Sequence, residues 1–292
     1  MFRPYSEPMA IAPTDAPPDP PELPEGVERT PAWPAWFALL GFLVGVGATF
    51  FGVAVIGGIA VAAGGDTDSP AFVVIGTLVQ GAAFGATAYF FASRVQKPKL
   101  WHFGLRSTRF WPAVGWAALG IFVFYLLTAL YSVLVDPDTH QDTVQQLGGD
   151  KGTIGLIAAG VMVICVAPVV EEFFFRGFFY RALRNRFSIL AAAGIDGVLF
   201  GTIHYSGHGV DGLLILPPLG LLGFIFCLTY EKTGSLLVSI GMHAFNNTVA
   251  YAAQADDGAY VSMVVGPLML VALVLVARAL PRAPEVSLTR RR

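Results

Sequence analysis

Three sets of polar residues interrupt an otherwise apolar chain, and their types suit hydrolysis. Glu171, Glu172 and Arg176 stand between an apolar run (154–170) and an aromatic run (173–180). A charge at bilayer depth is expensive and marks a functional site by default. On a helix, Glu172 and Arg176 are four residues apart, share a face and neutralise each other. Glu171 is turned about 100° away from Glu172, so it needs a partner from elsewhere. The candidates are Phe200-x-x-x-His204 and His243-x-x-x-Asn247, and His243 and Asn247 again share a helix face.

Among Glu171, His204 and His243, a carboxylate and an imidazole holding one water would give general-base activation. A histidine and an asparagine donating to a developing oxyanion would stabilise it in a low dielectric. Glu171, His204 and His243 could instead hold one zinc ion and leave a fourth position for water. The chain lacks His-Glu-x-x-His, the usual helical zinc signature. Water activation explains these residues without a metal, so no cofactor is favoured, and one zinc ion is the alternative. Glu172 and Arg176 read as a helix-fixing pair and Phe200 as packing beside His204. Asn246 competes with Asn247, but only Asn247 is i,i+4 to His243.

These groups need helices to carry them. Of 292 residues, 55% are hydrophobic and 13% charged, half the charge of a soluble domain; mean hydropathy is +0.64. The expected class is all-α, a polytopic membrane helix bundle of about eight transmembrane helices, at 36–63, 71–93, 111–135, 157–183, 188–206, 212–230, 235–254 and 259–280. Counted at 1.5 Å per residue from the cytoplasmic ends of their spans, Glu171, His204, His243 and Asn247 lie at about 20, 24, 12 and 18 Å. Four polar groups from three helices can meet at similar depth.

Fourteen of the eighteen Lys and Arg fall on one side in this arrangement, which places both termini in the cytoplasm and the 136–153 loop outside. The expected location is a bacterial plasma membrane. Residues 1–33 hold nine of the twenty prolines and read as a disordered cytoplasmic tail. The bundle is expected over 34–281 and a basic cytoplasmic tail over 282–292. A net charge of −2 gives no reason to expect a nucleic-acid partner. Cys165 and Cys227 read as small core residues. Trp101, Trp111 and Trp116 read as interfacial anchors, His102 and His140 as solvated, and His208 and Asp211 as loop residues. The aromatic run reads first as a lipid and core surface.

Taken together and in order, the three motifs resemble those of the CPBP intramembrane proteases (the CAAX protease and bacteriocin-processing, or Abi, family), the type II CAAX prenyl endopeptidase-like proteins. The resemblance covers about residues 100–255. It implies an eight-helix membrane endopeptidase with Glu171 and His204 activating water and His243 and Asn247 forming the oxyanion site. It also implies a peptide or membrane-protein substrate, prenylated or not, reached within the bilayer. Two rivals from other classes are a proton- or ion-coupled transporter with Glu171 as relay, and a non-catalytic immunity or scaffold protein of the same fold. Paired broken helices would favour the transporter, and no such pairing is visible.

Overall fold

Short caps and apolar runs divide the chain into helices. Ser69 accepts from the Phe72 N–H and is followed by Pro70, and Ser188 accepts from the Ala191 N–H; both are N-cap positions. Gly234, at φ +64°, ends another helix in the left-handed conformation that glycine adopts without strain. The computed structural model describes residues 31–135, 143–205, 209, 211–255 and 258–280. Over these, eight long helices run in order: α1 (Trp36–Ala62), α2 (Pro70–Ser93), α3 (Phe110–Val135), α4 (Gly152–Arg184), α5 (Ile189–Thr202), α6 (Leu216–Thr233), α7 (Leu236–Gln254) and α8 (Gly258–Ala279). No strand occurs among the described residues.

Five of these helices, α1 to α4 and α8, are long and apolar enough to cross a membrane. The expected eight spans thus divide into these five and three of different character. Helices α5, α6 and α7 have 14, 18 and 19 residues. Fourteen residues cover about 21 Å of a hydrocarbon core of about 30 Å. Helix α7 places Ser239, His243, Asn246, Asn247 and Thr248 along its length. Much of α6 and α7 is packed against other helices rather than turned outward, so lipid does not dictate their composition.

Helix α4 is not uniform. Pro168 has no N–H to donate, and its ring crowds the carbonyl four residues back. The helix widens into a π segment at Met162–Val166, returns to α geometry over Ala167–Glu172, and widens again over Phe173–Tyr180. Such segments are frequent at functional sites. The aromatic run is core rather than lipid surface: Phe174, Phe175, Phe178 and Phe179 are buried. Phe84 of α2 lies 4.5 Å from Phe174 between ring centroids, and Phe91 lies 6.4 Å from Phe178.

Helices α5 and α6 meet backbone to backbone. A Cβ on Gly197 would stand 2.5 Å from the Gly220 carbonyl oxygen, and one on Gly201 would stand 2.8 Å from that of Leu216. Small residues at a membrane helix interface permit this approach.

Two expectations need correction. The expected N-terminal tail runs to residue 33, yet Trp33 is fully buried, 5.1 Å from Phe103 and 5.5 Å from Phe178 between ring centroids. Asn185 ties this segment down by donating to the carbonyls of Pro31 and Trp33 at 2.9 and 2.8 Å. His102 was expected in solvent and is buried instead. It sits in the short 3₁₀ turn Leu100–Phe103, where its Nδ1 accepts the Lys99 N–H at 3.0 Å, so its ring satisfies a turn donor. Residues 1–30 and 281–292, with His140 and His208, lie outside the described residues.

Candidate active site

Glu171 and Glu172 leave α4 on different faces, as the helical pitch requires. The Glu172 Oε1 accepts from Arg176 Nη1 at 2.8 Å and lies 3.0 Å from His243 Nδ1. The expected i,i+4 pair is present, and it carries a histidine from α7 as well. Glu172 and Arg176 are fully buried and His243 nearly so. Arg176 also donates from Nη2 to the Gly223 carbonyl at 3.0 Å. Its guanidinium lies 4.4 Å from the Phe200 ring centroid and 5.1 Å from that of Phe226, a cation–π setting.

Glu171 faces two imidazoles. Its Oε2 lies 3.6 Å from His204 Nε2 and 3.9 Å from His243 Nε2. Both separations exceed hydrogen-bond length. The opposite ring nitrogens are tied. His204 Nδ1 is 2.7 Å from the Phe200 carbonyl, and His243 Nδ1 faces Glu172. A carbonyl or carboxylate oxygen only accepts, so each Nδ1 carries the hydrogen and each Nε2 is left facing Glu171. Helix α5 ends at Thr202, so His204 stands in the turn beyond it rather than within a span reaching 206. The four-residue spacing of Phe200 and His204 lets the ring satisfy a carbonyl at the helix end. Phe200 is buried between the two imidazoles, 4.8 and 5.7 Å away between ring centroids.

Asn247 approaches from α7 but is partly engaged. Its Nδ2 donates to the Val163 carbonyl at 2.9 Å, within the first π segment, and its Oδ1 accepts from Asn246 at 3.3 Å. It thereby satisfies backbone loosened ahead of Pro168, while a second amide hydrogen stays uncommitted to Val163. A cavity of about 30 Å³ adjoins Glu171, lined in part by Thr77, Gln80 and Gly81 of α2 and Ile203, enough for one water.

Sequence reasoning missed Asp196. This α5 residue is fully buried, its Oδ1 3.6 Å from Arg176 Nε. The signal was present, since an acid inside the apolar stretch Ala191–Phe200 is as anomalous as Glu171. The contribution of α2 to the cavity wall was also missed, because Thr77 and Gln80 belong to no motif. As for zinc, no group of three or more His, Cys, Asp or Glu is gathered as a metal site among the described residues. The zinc alternative through Glu171, His204 and His243 therefore has no support in this donor geometry.

Residues 153–249 match the Type II CAAX prenyl endopeptidase Rce1-like family. This Rce1-like stretch runs from the start of α4 into α7 and contains every residue from Glu171 to Asn247. Together with the five helices long and apolar enough to cross a membrane, this match points to an integral membrane protein. The uncharacterized protein YyaK of Bacillus subtilis (strain 168) is 29% identical over 140 residues, 47% of this chain and 46% of that protein. The match therefore spans about half the length of this curated relative. No solved structure matches.

Proposed function

We propose that the protein is an intramembrane endopeptidase that hydrolyses a peptide bond with water activated by Glu171 and His204. The observation that carries this reading is the convergence of two imidazole Nε2 atoms on Glu171 Oε2, at 3.6 and 3.9 Å, while both Nδ1 atoms are held from behind. A water oxygen within reach of all three would span these separations. Glu171 takes a proton as the water attacks the carbonyl carbon. The carbonyl oxygen becomes an oxyanion near His243 and Asn247. Donation by His243 requires its doubly protonated form, since the Nδ1 hydrogen is committed to Glu172. The proton held by Glu171 then passes to the leaving amine as the C–N bond breaks.

The substrate class is a peptide or membrane-protein segment reached within the bilayer. The family name points to prenylated tails as one class to try. The protein sits in a bacterial plasma membrane with both termini cytoplasmic. The test is a comparison of peptide termini in cells expressing the wild type or Glu171→Ala. New termini present only with the wild type are expected, and they identify the substrate peptide. Identical sets of termini at equal protein levels would remove the reading.

A further inference from the structure

We propose that Asp196 is a positioning residue for this reaction: it anchors Arg176 so that a single oxygen of Glu172 can hold His243 in line with Glu171. The inference rests on the functional reading above and adds a residue that belongs to none of the three motifs.

Asp196, Arg176, Glu172 and His243 form one buried chain. From Asp196 Oδ1 to Arg176 Nε is 3.6 Å, from Arg176 Nη1 to Glu172 Oε1 is 2.8 Å, and from Glu172 Oε1 to His243 Nδ1 is 3.0 Å. Nη1 and Nη2 are hydrogen-bonded, the latter to the Gly223 carbonyl, while buried Nε makes no hydrogen bond among the described residues and faces Asp196 at ion-pair distance only. Gly223 leaves room for the guanidinium, since a Cβ there would stand 3.0 Å from Nη2. The charges are uneven in their use. Glu172 spends Oε1 on both Arg176 and His243, while its buried Oε2 has no hydrogen-bond partner among the described residues.

That unevenness needs a second anion. Arg–carboxylate pairs prefer the two-toothed geometry, with both oxygens on the guanidinium. Asp196 stands 3.6 Å from Nε, too far for a hydrogen bond but close enough to share the positive charge, so Glu172 is not drawn fully onto Arg176. With a neutral residue at 196, Arg176 pulls on Glu172 alone. The unpartnered Oε2 then swings onto the guanidinium, and Oε1 leaves His243 Nδ1. The imidazole loses the acceptor that orients it, and Nε2 drifts from Glu171. Packing alone does not call for an acid here, since a buried charge is costly and an apolar residue of similar volume often serves as well.

The experiment compares wild type, Asp196→Asn and the pair Asp196→Asn with Cys227→Asp. Buried Cys227 of α6 adjoins the Asp196 carboxylate, so an acid there returns the charge from the opposite helix. Two measurements are made on folded, monodisperse protein. One is the Nδ1–H signal of His243 in ¹⁵N-histidine-labelled protein, assigned by its absence in His243→Gln. The other is kcat and KM on the peptide that wild type cuts and Glu171→Gln does not. In Asp196→Asn the signal should move or vanish, and kcat should fall roughly 10- to 100-fold, the scale of a misplacement near 1 Å, with KM unchanged. The paired variant should regain signal and kcat. A folded Asp196→Asn that keeps both would overturn the inference, leaving Asp196 a stabilising partner only. If Asp196→Asn does not fold, the paired variant decides: wild-type signal and kcat uphold the inference, and a folded but inactive protein overturns it. If wild type itself cuts nothing, the functional reading fails, and the His243 signal alone judges the role of Asp196.

Discussion

Glu171 and Glu172 differ by one position and by about 100° around the helix axis, and their surroundings differ accordingly. Glu172 is fully buried with Arg176 and His243 on one oxygen, whereas the Glu171 side chain keeps 24% of its surface exposed beside a cavity. The two carboxylates should therefore fail differently. Glu172→Gln leaves Arg176 charged and partly unpaired, and breaking a buried pair costs about 3–5 kcal/mol. Thermal stability in detergent and membrane yield should both fall. Adding Arg176→Gln removes that lone cation but leaves buried Asp196 without its partner, so stability should return only when Asp196→Asn is added as well. If Glu172→Gln unfolds like the wild type, the pair is not structural. Asn247→Leu removes the donor to the Val163 carbonyl and should cost about 1–3 kcal/mol, measured the same way. The motif residues were legible because charge is rare in apolar sequence and spacing of four fixes a helix face. Asp196 was equally anomalous, but its partner Arg176 had already been paired with Glu172. The second bond of Asn247 was not legible, since it depends on a carbonyl freed in another helix.

Helix positions followed from hydrophobic runs, and the eight long helices fall close to the expected spans. The change of pitch within α4 did not, because a π segment leaves the run of apolar residues unbroken and Pro168 alone does not say how the helix will adjust. The short α5 and the polar α7 were read as ordinary spans for the same reason: hydropathy does not distinguish burial in protein from burial in lipid. The approach of α5 to α6 rests on glycines whose roles differ. Gly197→Ala places a Cβ 2.5 Å from the Gly220 carbonyl oxygen and 3.0 Å from the Phe224 nitrogen, backbone atoms that cannot turn aside. It should cost about 1–3 kcal/mol by overpacking and lower turnover as well, because α5 carries both Asp196 and the turn that holds His204. Gly194 has nothing within 4 Å of its Cβ position, so Gly194→Ala should be neutral or stabilise by up to about 1 kcal/mol. Equal melting temperatures for the two variants would remove this account of the helix pair.

The proposed function requires the site to lie at one depth in a bilayer, and two tests belong to that scale. Positive charge on one side predicts that reporters fused at Thr289 and within the 136–153 loop lie on opposite sides, the first cytoplasmic. A C-terminus outside would contradict an even number of crossings. Metal dependence is the second. Purified protein in excess chelator should keep its rate, and its metal content should fall short of one per chain. Loss of activity restored by zinc would instead make Glu171, His204 and His243 ligands. The central claim is that Glu171 is the base that activates water. It is tested most directly by the cleavage rate of the substrate peptide by purified wild type and Glu171→Gln at matched stability. The substitution keeps size and hydrogen bonding and removes the base. A fall of roughly 10²- to 10⁴-fold, the usual worth of a general base, is predicted, with the melting temperature retained; a folded Glu171→Gln that cuts at the wild-type rate would contradict it.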